Sequence, residues 1–179
     1  MREIADADRI RRLMRALGAE ADIETRIYFT GGATAVLLGW RRSTIDVDLR
    51  IIPERDRLLR ALPRLKEDLR VNIELASPAD FIPVPPGWES RGLFIATEGK
   101  VSFFHFDLYA QALAKVERSH VQDLDDVRAM IRMALIDPRR ALENFRQIEP
   151  ELYRYPAIDP RSFGKTVEEV FGAQMTSMG

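Results

Sequence analysis

The sequence predicts an α/β protein in which a mixed β-sheet carries flanking helices and a helical C-terminal segment follows. Up to about residue 108, two kinds of segment take turns along the chain. Some have apolar residues at every second position, as strands do, and the others have the 3.6-residue period of helices. After Asp107 the period stays near 3.6, which predicts consecutive helices. The resulting order of helix, strand, helix, strand, helix and then three strands is typical of helices packed on a mixed sheet.

The elements follow from local patterns. The first half predicts a helix around 10–17 that Gly18 ends, a strand at 26–29, a short helix at 33–39, a strand at 44–52, a helix at 54–69 that Pro63 kinks or splits, and a strand at 71–76. The second half predicts an irregular proline-rich loop at 77–88, strands at 92–97 and 101–108, and helices at 109–118, 122–136 and 138–147. We therefore expect an α/β core at 1–110, a helical segment packed on it at 111–150, and a loosely ordered tail at 151–179.

Composition restricts the class of protein. The chain has 179 residues, of which 46% are hydrophobic and 31% charged, so it can bury a core. Its net charge of −1 does not indicate a globally basic nucleic-acid binder, although a local basic groove is compatible with it. The absence of cysteine excludes disulfides and thiolate metal sites. No apolar run approaches ~18 residues, so we expect a cytoplasmic protein without a membrane partner.

Two aspartates interrupt the best strand of the chain. Asp46 and Asp48 lie in the run Ile45–Leu49, which otherwise alternates as a strand does. Side chains at positions i and i+2 of a strand point to the same side, with Cα atoms about 6.6 Å apart. Two carboxylates held in this way attract a cation, and Mg²⁺ takes oxygen ligands of this kind. The alternative is a pair of solvated aspartates on an exposed face.

A glycine pair precedes the aspartates. Gly31 and Gly32 follow the strand at 26–29 and open a short helix, an arrangement in which backbone N–H groups can close on a phosphate. The alternative is a simple tight turn. Arg42 and Ser43 lie in the loop that leads to the aspartates, where a guanidinium and a hydroxyl suit a phosphate, although a plain basic turn explains them equally well.

Together these motifs resemble a known signature. The glycine pair, the short helix and "STIDVDL" resemble the nucleotidyltransferase superfamily with the polymerase-β-like fold. Within it, the chain is similar to small bacterial nucleotidyltransferases of unknown role and to the toxins of abortive-infection type toxin–antitoxin pairs. The segment "LAKVERSHVQDLDDV" is similar to a helical motif of those toxins, in which a lysine precedes an Arg-Asp-x-x-Asp pattern. Lys115, Asp123 and Asp126 occupy those places, and Gln122 stands where the motif has arginine.

The resemblance implies an enzyme that moves a nucleotidyl group from an NTP to an acceptor hydroxyl. Mg²⁺ or Mn²⁺ ions would be held on Asp46 and Asp48, and the acceptor would be a tRNA, a protein or a small molecule. An antitoxin-like partner protein is a further implication. The alternative is a fold that has lost its chemistry and serves as a nucleotide-binding or toxin–antitoxin-type interaction module.

The remaining site residues are also implied by the resemblance. The superfamily adds a third carboxylate, for which Glu74 on the polar face of the strand at 71–76 is the first choice and Asp107 the second. Lys115 would reach triphosphate oxygens, the alternative being a solvated surface charge. Asp123 and Asp126, which are adjacent on one helix face, would orient Lys115 or Arg128 and lie beside the nucleotide, or would simply cap the helix that starts near Val121. His105 and His120 lack the spacing of a zinc site, and we expect His105 to be a satisfied sheet residue.

Overall fold

Five strands form one mixed sheet in the order β3-β2-β1-β5-β4. The computed structural model describes residues 3–177. The strands are β1 (Thr25–Thr30), β2 (Asp46–Ile52), β3 (Asn72–Leu75), β4 (Leu93–Glu98) and β5 (Val101–His105). β1 runs antiparallel to β2 and parallel to β5, β2 runs parallel to β3, and β4 and β5 form an antiparallel pair. The predicted α/β class with a mixed sheet is confirmed.

Three helices cover one face of this sheet: α1 (Ala7–Glu20), α2 (Gly32–Leu38) and α3 (Asp56–Leu69). Alternate strand residues point at them, and the apolar stripes of α1 and α3 complete the core. The buried side chains include Leu13, Leu17, Ile27, Phe29, Val47, Leu49, Leu58, Ile73 and Phe103. The polar residues of β2 and β3 therefore lie on the opposite face of the sheet.

Two helices differ in detail from their predictions. Gly18 does not end α1 but lies within it, and a Cβ there would come 2.4 Å from the backbone oxygen of Glu98. This glycine therefore permits a close approach between α1 and the β4–β5 turn. Pro63 does not split α3, which is continuous through it, and a kink there stays a prediction. Pro63 lies on the exposed side, where water can bind the Leu59 carbonyl that proline leaves without an N–H partner.

The chain divides into two units, which we call the sheet unit (residues 3–77 and 92–106) and the helical unit (78–91 and 107–177). The helical unit contains α4 (Leu108–Arg118), α5 (Val121–Arg132), α6 (Pro138–Ile148), α7 (Pro160–Val167) and α8 (Ala173–Ser177). The proline-rich loop belongs to this unit, and the hydroxyl of Tyr155 donates to the Ala79 carbonyl at 2.6 Å. The second segment of the helical unit begins at Asp107.

Most of the segment at 151–177, for which the sequence predicted a loosely ordered tail, forms helical turns and helices. Phe163, Val167 and Phe171 recur every four residues and are at most 3% exposed. The Phe163 ring packs edge-on against Phe145, with the centroids 5.0 Å apart. Asp159 caps α7 by accepting hydrogen bonds from backbone N–H groups of its first turn. The expected tail also included 178–179, which lie outside the described residues.

Within the described residues, no helix is both long and apolar enough to cross a membrane.

Candidate functional site

Asp46 and Asp48 share the face of β2 that points away from α1, α2 and α3. Burial alternates along this strand, with Val47 and Leu49 fully buried and both aspartates half-buried. The i, i+2 geometry that the sequence predicted is therefore present, and it follows from the alternation of apolar and acidic residues.

Glu74 lies directly beside this pair. In the parallel pairing of β2 and β3, Asp48 is opposite Glu74 and Asp46 is opposite Asn72. Neighbouring strands are about 4.8 Å apart, so the carboxylates of Asp46, Asp48 and Glu74 lie on one small area of the sheet, which we call the carboxylate patch. The Asn72 side-chain amide donates to Asp46 Oδ1 and, at 3.2 Å, to Glu74 Oε1. Sequence analysis missed Asn72, although its place on the polar face beside Glu74 was visible in the alternation.

The turn at Gly31 and Gly32, which we call the glycine turn, adjoins the carboxylate patch. Thr30, the last residue of β1, is opposite Asp48, so the chain turns at Gly31 next to this carboxylate. Gly31 has φ +63°, which favours glycine, and a Cβ there would come 2.9 Å from Asp48 Oδ2. Two motifs separated by fourteen residues in sequence are thus in contact in the fold.

Gly32 lies where the fold leaves no room for a side chain. A Cβ on Gly32 would lie 2.0 Å from Thr44 Oγ1 and 2.6 Å from Thr44 Cβ. The space that a side chain would need is therefore filled by Thr44. Contact of the backbone N–H groups of this turn with a phosphate stays a prediction. The Thr44 hydroxyl also donates to the Asp46 carbonyl at 2.9 Å, which fixes the start of β2. No local signal in the sequence identifies Thr44 as a residue that positions the site.

His105 supports the turn from within the sheet unit. Its Nδ1 lies 3.0 Å from the Thr34 hydroxyl of α2, which is 3.3 Å from the Phe29 carbonyl. Burial lowers the pKa of His105 to about 4, so the ring is neutral at pH 7. The prediction of a satisfied sheet histidine agrees with this hydrogen bond.

The helical unit holds Lys115, Asp123 and Asp126 together. Lys115 Nζ lies 2.7 Å from Asp126 Oδ2 and 3.7 Å from Asp123 Oδ1, and Arg118 Nη2 lies 3.3 Å from the latter atom. The aspartates are 3% and 1% exposed. The Lys115 ammonium is therefore engaged in a buried ion pair with these carboxylates. A contact of this cluster with a nucleotide stays a prediction.

Asp107, the second choice for the third carboxylate, is occupied within the helical unit. It is 1% exposed, and its Oδ1 accepts from the Tyr109 backbone N–H at the start of α4. Its Oδ2 accepts from Arg91 Nε at 3.1 Å and Nη2 at 2.8 Å. These contacts are those of a helix cap joined to a charge pair, whereas Glu74 lies in register with Asp48.

Arg42 is exposed and Ser43 half-buried in the loop between α2 and β2. Their binding of a phosphate stays a prediction.

The chemistry of the carboxylate patch fits a hard cation in part. Within residues 3–177, no three His, Cys, Asp or Glu side chains are grouped closely enough to hold a metal ion by themselves. Mg²⁺, however, is commonly held by one or two carboxylates, with substrate phosphates and water completing its ligands. Asp46 and Asp48 supply that share from one strand, so the protein's donors suit a metal that arrives with a triphosphate.

Comparison with known proteins agrees with this geometry. The family model described as a nucleotidyltransferase of unknown function (DUF6036) matches residues 7–149, which include the glycine turn, the carboxylate patch and the Lys115 cluster. No curated protein and no solved structure matches the chain significantly. The narrower link to abortive-infection toxins stays a prediction. Since the match covers well over half of the chain, the protein belongs to this family of nucleotidyltransferases of unknown function.

Proposed function

We propose that this protein is a metal-dependent nucleotidyltransferase that moves a nucleotidyl group from an NTP to an acceptor hydroxyl. The observation that carries the proposal is the contact between the glycine turn and the carboxylate patch. Gly31 brings backbone against Asp48, and Glu74 lies in register with the same residue. The family description supports the reaction class but names no substrate.

In this proposal Asp46 and Asp48 hold Mg²⁺ or Mn²⁺ together with the triphosphate. The bound ions would neutralise charge on the leaving pyrophosphate and activate the acceptor oxygen. Asn72 keeps Asp46 and Glu74 in place through its two amide hydrogen bonds. Because Asn72 is neutral, it orients these carboxylates without cancelling their charge.

Glu74 is proposed as the group that receives the acceptor proton. The acceptor oxygen forms a bond to the α-phosphorus, and the bond from that phosphorus to the bridging oxygen of the β-phosphate breaks. Pyrophosphate leaves with the electron pair, and the hydroxyl proton passes to Glu74. Glu74 is exposed, so an acceptor can reach it from solvent.

The test is transfer of label from α-³²P-labelled NTPs, with Mg²⁺ or Mn²⁺ present, to protein, nucleic acid or small molecules of a bacterial lysate. We expect one acceptor class to be labelled, and Asp46→Asn/Asp48→Asn to lower the rate by about 10³-fold because charge neutralisation is lost. Asp125→Asn on an exposed position of α5 is the matched control. Nucleotide binding without transfer to any acceptor would favour a binding module.

A second comparison tests the third carboxylate. Glu74→Gln should suppress transfer while NTP affinity, measured by calorimetry, stays within about two-fold, because the side chain acts on the acceptor. Loss of transfer in Asp107→Asn but not in Glu74→Gln would show that the assignment is wrong. Circular dichroism must accompany Asp107→Asn, since this residue caps α4.

A further inference from the structure

An open cavity lies at the end of the sheet unit that is remote from the carboxylate patch. Its volume of about 540 Å³ is within the range of small-molecule sites. Four of its lining residues form one row across four neighbouring strands, in the order Thr97, Ser102, Arg26 and Ile52. Others come from segments at the ends of these strands, among them Glu24 before β1, Pro53 after β2 and Lys100 in the β4–β5 turn.

This cavity is separate from the carboxylate patch. Arg26 precedes Thr30 by four residues on β1, and Thr30 is opposite Asp48, so the two places are about 13 Å apart along the strands. Tyr28, which lies between Arg26 and Thr30 on the same face, is 2% exposed, and Thr30 is 8% exposed. Covered side chains therefore lie between them, and a ligand of the cavity binds at a site of its own.

Two cations line the cavity without a carboxylate partner. Within residues 3–177, neither the Arg26 guanidinium nor the Lys100 ammonium pairs with a carboxylate. The Arg26 guanidinium carbon lies 5.9 Å from the centroid of the Phe104 ring, a contact with the face of the ring that orients the group. Lys100 donates one hydrogen bond, to the Asp22 carbonyl at 2.9 Å, so two of its three N–H donors remain for a ligand.

The other polar groups of the cavity restrict which anion fits. Thr97 Oγ1 and Ser102 Oγ lie 3.5 Å apart on neighbouring strands, and each hydroxyl can donate or accept a hydrogen bond. Glu24 adds a carboxylate, which accepts hydrogen bonds but repels a bare anion. A ligand that satisfies the whole set must carry an anionic group for the two cations and hydroxyl groups for Glu24.

The segments around the cavity are held in place by the protein itself. Side chains donate to four carbonyls between α1 and β1: Arg57 to Glu20 at 2.7 Å, Lys100 to Asp22 at 2.9 Å, Thr25 to Ile23 at 2.9 Å and Arg55 to Glu24 at 3.4 Å. The β4–β5 turn packs closely on α1, because a Cβ on Gly99 would come 2.5 Å from the Gly18 carbonyl oxygen. Since these segments are already ordered, binding a ligand costs little conformational entropy.

We infer that this cavity binds a small sugar phosphate, at a site separate from that of the proposed reaction. The phosphate group contacts Arg26 and Lys100 through charge-assisted hydrogen bonds. The sugar hydroxyls donate to the Glu24 carboxylate and exchange hydrogen bonds with Thr97 and Ser102. Among the described residues that line the cavity none is aromatic, so a nucleobase would gain no stacking there. A sugar phosphate without a base therefore accounts for the polar groups of the cavity.

The experiment is a calorimetric titration of the full chain with ribose 5-phosphate, without NTP or metal. Arg26→Gln and Lys100→Gln should each weaken binding by about ten-fold, because each removes charge-assisted hydrogen bonds to the phosphate. In ¹⁵N NMR spectra the ligand should move the amide signals of Lys100 and Ser102 and leave those of Gly31 and Asp48 unchanged.

Glu24→Ala separates recognition of a sugar phosphate from attraction of any anion. The affinity for ribose 5-phosphate should fall by about ten-fold, because the sugar hydroxyls lose their acceptor. The affinity for inorganic phosphate should rise, because a repelling charge is removed. A change of both affinities in the same direction would overturn the assignment of a sugar phosphate.

The matched control is Arg12→Gln/Arg15→Gln, which removes exposed cations from α1 on the opposite face of the sheet. It should change the affinity for ribose 5-phosphate by less than about two-fold, because water and salt screen remote exposed charges. Equal losses in the cavity variants and in this control would overturn the inference. Absence of binding up to about 10 mM ribose 5-phosphate would overturn it as well.

Two further outcomes would show that the ligand or its place is wrong. Shifts of the Gly31 and Asp48 signals in place of those of Lys100 and Ser102 would place ribose 5-phosphate at the carboxylate patch. Adenosine 5′-monophosphate binding to the cavity more than about ten-fold tighter than ribose 5-phosphate would show that the site takes a nucleotide. Either result contradicts the inference, whereas failure of nucleotidyl transfer contradicts the proposed function and leaves the cavity site intact.

Discussion

The sheet unit and the helical unit each bring aspartates together, but they balance the charge differently. In the helical unit, Asp123 and Asp126 are buried and share the ammonium of Lys115. In the sheet unit, Asp46 and Glu74 remain accessible and accept hydrogen bonds from the neutral amide of Asn72. One cluster therefore carries its own cation, whereas the other is oriented by an uncharged group.

Two acidic motifs that look alike in the sequence can therefore serve different purposes, one stabilising the fold and the other binding a ligand. A carboxylate taken out of water needs a counter-charge within the protein, because desolvation costs several kcal/mol per ion. A carboxylate that stays in contact with water has no such need and can bind a cation that a ligand brings. We therefore expect substitutions in the helical cluster to affect stability first, and those in the carboxylate patch to affect binding and transfer first.

The largest expected change in stability is at the cluster of Lys115, Asp123 and Asp126 in the helical unit. Lys115→Met should lower the free energy of unfolding by about 3–5 kcal/mol, because Asp126 and Asp123 stay buried without their ammonium. Urea unfolding measures it, with Lys165→Met as the control on a lysine whose side chain is 79% exposed. Asp46→Asn should change the same quantity by less than about 1 kcal/mol. Equal losses of unfolding free energy in the two variants would contradict the different roles assigned to the two clusters.

A pH titration gives the next largest effect, within the sheet unit. Burial holds the pKa of His105 at about 4, below its ordinary value of 6.5, so the unfolded state binds the proton more tightly. Stability from this group is full above pH 6.5, falls as the pH drops towards 4, and reaches a loss of about 3 kcal/mol. His105→Gln should remove this part of the pH dependence of stability between about pH 4 and 6.5, as measured by urea unfolding. An unchanged pH profile in the variant would show that the histidine is not the source.

The packing of Thr44 against Gly32 predicts a smaller change in stability. Gly32→Ala should cost about 1–3 kcal/mol of stability, because the new methyl group would meet Thr44. Gly32→Ala/Thr44→Gly removes the obstructing side chain and should recover part of the loss. Thermal unfolding of both variants measures this. If Gly32→Ala is as stable as the wild type, Thr44 does not determine the need for glycine here.

The smallest expected change in stability is at Asn72. Asn72→Ala should alter the free energy of unfolding by less than about 1 kcal/mol, since its partners remain accessible to water. In the proposed function, it should weaken the apparent Mg²⁺ affinity by about 10–100-fold, because the carboxylates lose the group that orients them. The Mg²⁺ dependence of melting temperature with NTP present measures that affinity. Asn144→Ala, which removes an amide that donates to the Arg140 carbonyl of its own helix, is the control.

Much of the fold could be predicted because local periodicity records which side of each element faces the core. Alternation around Asp46 and Asp48 gave both the strand and the shared face of the two carboxylates. Towards the C-terminus the prolines and glycines indicated an irregular segment, whereas the four-residue spacing of Phe163, Val167 and Phe171 is that of one buried helical face. Local periodicity also failed at Gly18, since a close approach between distant segments leaves no local mark.

Local patterns in the sequence were therefore enough to predict the class of fold and the acidic face of β2, and the resemblance supplied most of the residues that the proposed function uses. Only the tertiary structure decided that Glu74 is in register with Asp48, that Thr44 fills the space beside Gly32 and that Lys115 is held by Asp126. The physical reason is range. Periodicity is a property of neighbouring residues, whereas strand register, steric exclusion and charge pairing depend on segments that meet only when the whole core has packed.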